Sequence, residues 1–390
     1  MKAILLSRVL PAILLLALAA SFLPSPAQEA APSSKKIAAA LQPFVDNQTL
    51  PGAVTLVASK DKVLSIDAVG YADVASKRPM IMDAIFWIAS MSKPITAAAL
   101  MMLVDEGKVS LDDPVEKYIP EFKDIKVMVK EGDKIVLKKP SHPITVREVL
   151  SHTSGLPFRS KAEQPTIDVL PLKDAVLSYT KEPLNSEPGT KYAYSNEGIN
   201  VAGRIIEVAS GMPYEVFLDK RLFGPLGMKD TTFWPNETQL KRLATSYKAG
   251  KDKKGLEATT VGALKYPLNE KSNRYPCPGG GLFSSANDCG LFCQMLLNGG
   301  TFQGKKYLSE SAIKALSSRQ TGEAKTNYGL GFSVGDGNFG HGGAYNTNMT
   351  VDTKRGLVFV WMVQRAGIPG DGGQGAFRKA AEELFSSAKK

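Results

Sequence analysis

The sequence predicts an α/β (α+β) fold: an antiparallel sheet built from both ends of the chain and flanked by helices, with a mostly helical part inserted between. Three observations predict it. Strand-like alternation occurs near the N-terminus and returns near the C-terminus, helical and loop patterns dominate the stretch between, and no segment repeats. The 390 residues are 43% hydrophobic and 22% charged. That suffices for one large two-part domain or two ordinary ones, with a sizeable core, and excludes collagen, a coiled coil or a chain disordered throughout.

The elements follow in order. Residues 1–27 read as a secretory signal peptide: Lys2 and Arg8 precede or open an apolar run at 9–23, and Ser25-Pro26-Ala27 offers small residues before a cut. A retained anchor needs about 18 apolar residues. This run is shorter and contains Pro11, so a periplasmic or secreted protein with no membrane span after cleavage is expected. Residues 28–36 form a tail, and 37–45 a short helix. Residues 53–58 and 63–69, joined at Lys60-Asp61-Lys62, alternate as an antiparallel hairpin. From Ser90 an Ala-, Leu- and Met-rich segment reads as a helix stopped by Gly107. Residues 123–139 carry six Lys against three acids and read as an exposed hairpin. Helices are expected over 201–210, 214–222 and 286–297. Strands are expected over 329–334, 348–352 and 357–364, the last two around a turn at 353–356, and a closing helix over 374–387. The catalytic unit is therefore 28–390, with its α/β part at about 37–88 and 300–390 and its helical part at about 89–299.

The formal charge of +10 falls to +8 without residues 1–27, where Lys2 and Arg8 are the only charges. A basic surface suits an anionic envelope, but no Arg/Lys patch interleaved with aromatics points to nucleic acid. Export permits disulfides, yet the chain has three cysteines, Cys277, Cys289 and Cys293. One pair can bridge or all three can be buried thiols, the reading favoured here. Three scattered histidines, His142, His152 and His341, give no paired ligand spacing, so no metal or other cofactor is expected.

The helix start at Ser90 carries the chemistry. Ser90-Met91-Ser92-Lys93 places a hydroxyl and an amine three residues apart. Three helical residues turn about 300° and rise about 4.5 Å, so both side chains share one face. A serine hydroxyl becomes a nucleophile when a neighbouring base takes its proton. Lysine serves as that base only if burial or cationic neighbours lower its pKa, ordinarily near 10.4. Phe86, Trp87 and Ile88 supply the apolar setting, and a helix N-terminus favours developing negative charge. By itself this pattern is equally a capping serine and a solvated lysine. Tyr194-Ser195-Asn196 follows a Pro188-Gly189 turn and presents a phenol and an amide to one side of an extended segment. The phenol can shuttle protons beside a lysine, and the amide can orient that lysine or hold a substrate carbonyl; the plain alternative is a hairpin tyrosine with a turn asparagine. In Gly340-His341-Gly342-Gly343-Ala344 the glycines admit close backbone approach. An N–H there, with that of Ser90, can form an oxyanion hole, worth about 3–4 kcal/mol per donor.

The order Ser90-x-x-Lys93, Tyr194-x-Asn196, His341-Gly342-Gly343 resembles the serine β-lactamase and penicillin-binding protein family, above all its class C-like branch of β-lactamases, D-alanyl-D-alanine carboxypeptidases, D-aminopeptidases and family VIII esterases. The resemblance spans residues 37–385. Residues 150–156 (Leu-Ser-His-Thr-Ser-Gly-Leu), 223–228 (Phe-Gly-Pro-Leu-Gly-Met) and 279–282 (Gly-Gly-Gly-Leu) fit it as well. It implies a helical domain beside an α/β domain, with the site in the cleft between. It also implies Ser90 as the acylated nucleophile, Lys93 and Tyr194 as the proton-transfer pair, and Asn196 as a substrate-positioning group. The amides of Ser90 and Ala344 would form the oxyanion hole. The third motif departs from the family's usual Lys-Thr/Ser-Gly. A lysine there holds a substrate carboxylate, whereas His341, with an ordinary pKa near 6.5, is mostly neutral at pH 7. Carboxylate recognition should weaken, and return in part toward pH 6.

Gly331-Phe332-Ser333-Val334-Gly335 matches the Gly-x-Ser-x-Gly elbow of α/β-hydrolases, but the elbow needs a following helix and a distant histidine. Here Asp336-Gly337-Asn338 follows, and His341 is the only later histidine. The expected function is an exported serine hydrolase that forms an acyl-enzyme, an esterase or amidase on small acyl substrates. The alternatives are a class C-like β-lactamase or D-Ala-D-Ala carboxypeptidase or D-aminopeptidase, or a protein that captures β-lactams or wall peptides without turnover. The partners expected are small esters, amides or β-lactams, with peptidoglycan peptides as a further candidate.

Overall fold

A computed structural model describes residues 33–251, 254–367 and 372–386; the signal peptide expected at 1–27 lies outside them. The central sheet has seven antiparallel strands: β1 (Gly52–Ala58), β2 (Val63–Asp73), β3 (Arg78–Pro79), β4 (Ser333–Val334), β5 (Asn338–Gly342), β6 (Asn348–Asp352) and β7 (Leu357–Met362). Their spatial order is β4-β5-β6-β7-β1-β2-β3. The two ends of the chain thus meet where β1 pairs with β7, Val54 lying opposite Met362 and Ala58 opposite Val358.

Six helices matter for the site: α1 (Lys35–Asp46), α2 (Ser92–Asp105), α3 (Val146–Ser151), α4 (Asn196–Ser210), α5 (Ala286–Leu297) and α6 (Gln374–Phe385). β7 reads Leu-Val-Phe-Val-Trp-Met, and all six residues are buried. Val358, Val360 and Met362 pack into the main core with Phe292 and Cys293 of α5. Leu357, Phe359 and Trp361 pack on the other face with Ile37 and Leu41 of α1 and Phe377 of α6. Covering both faces is what makes this strand apolar throughout rather than alternating. α5 lies close on β1: a Cβ added at Gly290 would stand 3.0 Å from a Leu56 methyl. In α2, Ser92 to Leu103 are all buried, the signature of a helix enclosed on every side.

The lysine-rich segment forms an exposed hairpin, Val127–Glu131 against Lys134–Lys138, and the three cysteines are free buried thiols. Several expected boundaries shift for local reasons. Residues 329–332 are a tight turn and only Ser333–Val334 is strand, because Gly331 takes φ +73° and donates to Leu150 O. The last strand ends at Met362: Gln364 leaves the ladder, and its side-chain oxygen accepts the Trp87 N–H at 3.0 Å. The expected helix 214–222 is α-helical only over Tyr214–Leu218 and widens into a π turn over Asp219–Phe223; Pro225 beyond it has no N–H to continue the α ladder. No helix among the described residues is long and apolar enough to cross a membrane.

Candidate active site

Ser90 does not sit on α2 itself but on the short 3-10 turn Ala89–Met91 that leads into it. Ala89 takes φ +45°, a left-handed conformation that costs a residue with a Cβ about 1–2 kcal/mol. The turn holds because its neighbours fix it: Ile88 N–H donates to Leu282 O at 3.0 Å, Trp87 Nε1–H to Gly280 O at 2.8 Å, and Ser92 Oγ–H to Ala89 O at 2.7 Å. Such strain survives only where the surroundings over-determine it.

One turn further on, Lys93 is fully buried. Its Nζ donates to Asn196 Oδ1 at 2.6 Å and to Gly279 O at 2.5 Å, and lies 3.1 Å from Ser90 Oγ. Burial pulls its pKa from an ordinary 10.5 down to about 7, because removing an ammonium from water penalises the charged form. With two protons given to fixed acceptors, the third tetrahedral position of Nζ faces the serine. In the neutral amine that position is a lone pair.

Tyr194 reaches the same point from the other side, its ring centroid 4.7 Å from Lys93 Nζ. Burial pushes its phenol well above the ordinary value, opposed only in part by a hydrogen bond with Ser90, so it stays protonated. The segment is not extended through Asn196, as the two-residue spacing suggested. Ser195 caps α4, its Oγ accepting the Gly198 N–H at 3.0 Å, and Asn196 is the first helical residue. The asparagine reaches Lys93 from the helix start.

β5 carries the third motif. His341 is buried, 8% exposed, with Nε2 3.5 Å from Tyr194 Oη. Burial first, and Lys93 second, push its pKa down to about 4. The expectation of partial protonation near pH 6 is therefore overturned: the imidazole is neutral throughout the physiological range. Gly343 is present for space, since a Cβ there would stand 2.5 Å from Ile88 O. Its N–H is committed to Thr347 O at 2.7 Å. Ala344 is exposed, and neither its N–H nor that of Ser90 donates to a carbonyl or side chain among the described residues.

Residues 37–383 match the family described as Beta-lactamase. The chain belongs to this β-lactamase-fold family of serine hydrolases. It is 31% identical over 361 residues to Protein Rv1367c of Mycobacterium tuberculosis, covering 84% of this chain and 88% of that one. It is 30% identical over 284 residues to Esterase EstB of Burkholderia gladioli, covering 67% and 69%. Among solved structures, EstCE1, a hydrolase with promiscuous acyltransferase activity, superposes with a TM-score of 0.75 at 25% identity, covering 89% of this chain and 97% of that one.

Where the resemblance implies a cation at the third motif, this chain places a neutral ring. Sequence reasoning brought Ser90, Lys93, Tyr194, Asn196 and His341 to one place, but it missed what holds them. The Gly279 carbonyl on Lys93 is a backbone group with no side-chain signature. Its N–H is fixed in turn by Asn200 Oδ1 at 3.0 Å. Tyr328 and His152 lie behind His341, and only the sequence 150–156 hinted at the latter. Ser333 lies on an edge strand followed by another strand, so no elbow exists there. Among the described residues no cluster of three or more His, Cys, Asp or Glu side chains is placed to hold a metal ion.

Proposed function

We propose that the protein hydrolyses small uncharged acyl esters or amides through an acyl-enzyme on Ser90. The position of Lys93 carries this reading: a buried amine titrating at about 7, two of its protons tied to Asn196 and Gly279, and its remaining position 3.1 Å from Ser90 Oγ. Neutral Lys93 takes the hydroxyl proton as Oγ attacks the substrate carbonyl, and the amides of Ser90 and Ala344 face the developing oxyanion. Collapse of the adduct breaks the bond to the leaving group, whose oxygen or nitrogen takes its proton from the Tyr194 phenol. That phenol recovers a proton from Lys93. Water then repeats the sequence on the acyl-enzyme and releases the acid.

A neutral His341 offers no cation to a substrate carboxylate, which supports uncharged esters over β-lactams and D-Ala-D-Ala peptides. Phe158, 56% exposed and stacked on Tyr194 with ring centroids 6.2 Å apart, adds an apolar wall for an acyl chain. Export remains part of the proposal and rests on the basic, apolar and small-residue pattern of residues 1–27. The test is a panel of short p-nitrophenyl esters, nitrocefin and a D-Ala-D-Ala peptide, with the acylated residue located by mass spectrometry. The expected result is ester turnover with Ser90 labelled. Preferential nitrocefin or peptide cleavage would overturn the substrate class, and a label elsewhere would overturn the mechanism.

A further inference from the structure

Behind the site lies a chain of hydrogen bonds whose direction is fixed at both ends. Ser195 N–H can only donate, and it points at His152 Nδ1 at 3.2 Å. His152 Nδ1 is therefore the acceptor, and in a neutral ring the proton sits on Nε2. That Nε2–H faces Tyr328 Oη at 3.1 Å. At the other end Gly342 O can only accept, and it lies 2.7 Å from His341 Nδ1. His341 thus carries its proton on Nδ1 and presents a bare Nε2, 3.1 Å from the same Tyr328 Oη. The phenol between them accepts from His152 and donates to His341, and no other arrangement makes all four hydrogen bonds. His152, Tyr328 and His341 are 0%, 2% and 8% exposed, so each unmade bond would leave a polar atom largely cut off from solvent.

We infer that Tyr328 is a positioning residue: by joining two buried histidines of opposite tautomer, it occupies the His341 lone pair and keeps that ring an uncharged wall beside Tyr194. The consequence for Tyr194 follows from distance. Its hydroxyl is 3.5 Å from His341 Nε2, farther than Tyr328 Oη at 3.1 Å. One nitrogen has one lone pair, and Tyr328 already fills it. The Tyr194 proton is therefore not drawn into the histidine and remains available to Ser90 and the leaving group. Protonating His341 would place a second donor against the Tyr328 proton, with Lys93 a further cation nearby. The titratable groups facing His341 are Lys93 from α2, Tyr194 from the segment before α4, and Tyr328 from the turn before β4; His152, at the end of α3, stands behind Tyr328. All but Lys93 are uncharged at pH 7: burial pushes Tyr194 and Tyr328 up and His152 down.

The catalytic half of this inference rests on the proposed role of Tyr194; the tautomer half does not. The chain has three histidines, and His142 is on the surface, 2.8 Å from Glu148, which makes the test tractable. In the full-length protein labelled with 15N-histidine, long-range 1H–15N spectra should show His341 as the Nδ1–H form and His152 as the Nε2–H form. Neither should titrate between pH 5.5 and 8. Tyr328→Phe should then perturb the Nε2 resonances of both rings and lower kcat for a short ester about tenfold with KM unchanged, the effect expected when a reacting group loses its orientation. Two buried histidines of the same tautomer, or a His341 that titrates near pH 6, would overturn the inference whether or not the enzyme is active. So would a Tyr328→Phe variant with unchanged kcat. Loss of Ser90 labelling in the wild-type protein with the tautomers as stated would instead overturn the proposed function and leave the network standing.

Discussion

Replacing Asn196 by Asp tests Lys93 as the base without removing it. The amide oxygen of Asn196 lies 2.6 Å from Lys93 Nζ, so Asn196→Asp sets a carboxylate against a buried amine with almost no change of shape. In the wild-type protein Lys93 titrates at about 7. On that value the neutral fraction is about one tenth at pH 6, about half at pH 7 and about nine tenths at pH 8. The kcat/KM profile for a short p-nitrophenyl ester should therefore rise through pH 7 and level off above pH 8. A neighbouring opposite charge favours the protonated amine and typically moves a partner's pKa by 1–3. Taking about 2, the limb moves to about 9, the neutral fraction at pH 7 drops to about one hundredth, and kcat/KM falls about fiftyfold. At pH 9 the variant recovers to within about twofold of wild type. The assay is the variant-to-wild-type ratio of kcat/KM from pH 6 to 9, with buffer hydrolysis subtracted. A ratio equally low at every pH would show that Asn196 acts only by placing substrate. A wild-type profile without an inflection near 7 would remove Lys93 as the base.

The other predictions are direct. Ser90→Ala should abolish ester turnover and fluorophosphonate labelling, while Ser333→Ala keeps most activity, as gel labelling and initial rates will show. Tyr194→Phe should lower kcat by about 10²–10⁴, and its loss should combine with that of Lys93→Ala far less than additively; steady-state kinetics of the single and double variants decide it. His341→Lys should raise kcat/KM for nitrocefin relative to a short ester by about five- to 150-fold, since a charge-assisted bond to a carboxylate contributes about 1–3 kcal/mol; a wild-type enzyme that already prefers nitrocefin, with a ratio the substitution leaves unchanged, would make β-lactams the leading substrate class. Lys93→Met should abolish activity yet raise stability, and by more at pH 6 than at pH 9. The folded-state pKa of Lys93 lies below its unfolded value, so the unfolded chain binds the extra proton between about pH 7 and 10.5. The resulting cost is complete below pH 7 and shrinks as pH rises through that window; urea unfolding at the two pH values measures it.

What was legible in the sequence is what local pattern determines. β2 alternates between buried and half-buried residues, which is the period-2 pattern the sequence shows, while β1 beside it is buried throughout; the helix 286–297 appears residue for residue because Ser285 caps it, accepting from Asp288 N–H at 3.2 Å. Ser90 and Lys93 were legible because a three-residue spacing at a helix start is itself a geometry. Pairings between distant segments were not. Phe86–Trp87 pairs with Phe283–Ser284 across about two hundred residues, and this short bridge is what brings Gly279 O over Lys93. No periodicity announces a two-residue strand. The full lowering of the His341 pKa was not legible for the same reason: the ordinary value of an imidazole is a property of water, and here burial first and Lys93 second pull it down.

The places where local preference is violated are also the places where the chemistry is proposed. An alanine in a left-handed conformation, a lysine without solvent and a glycine that no other residue can replace lie at positions 89, 93 and 343. Each is a cost the rest of the molecule must offset, and the bracing is visible: Leu282 and Gly280 hold the turn, Gly279 and Asn196 hold the amine, and Thr347 holds the loop. A stable fold alone would put a solvated residue at 93 and a relaxed turn at 89. Their retention is explained if the strained turn aims Ser90 into the cleft and the dry pocket turns a lysine into a base at neutral pH. The same logic orders the variants by kind. Relaxing Ala89 or Lys93 should gain stability and lose turnover together, whereas disturbing Leu282 or Asn200 should lose both.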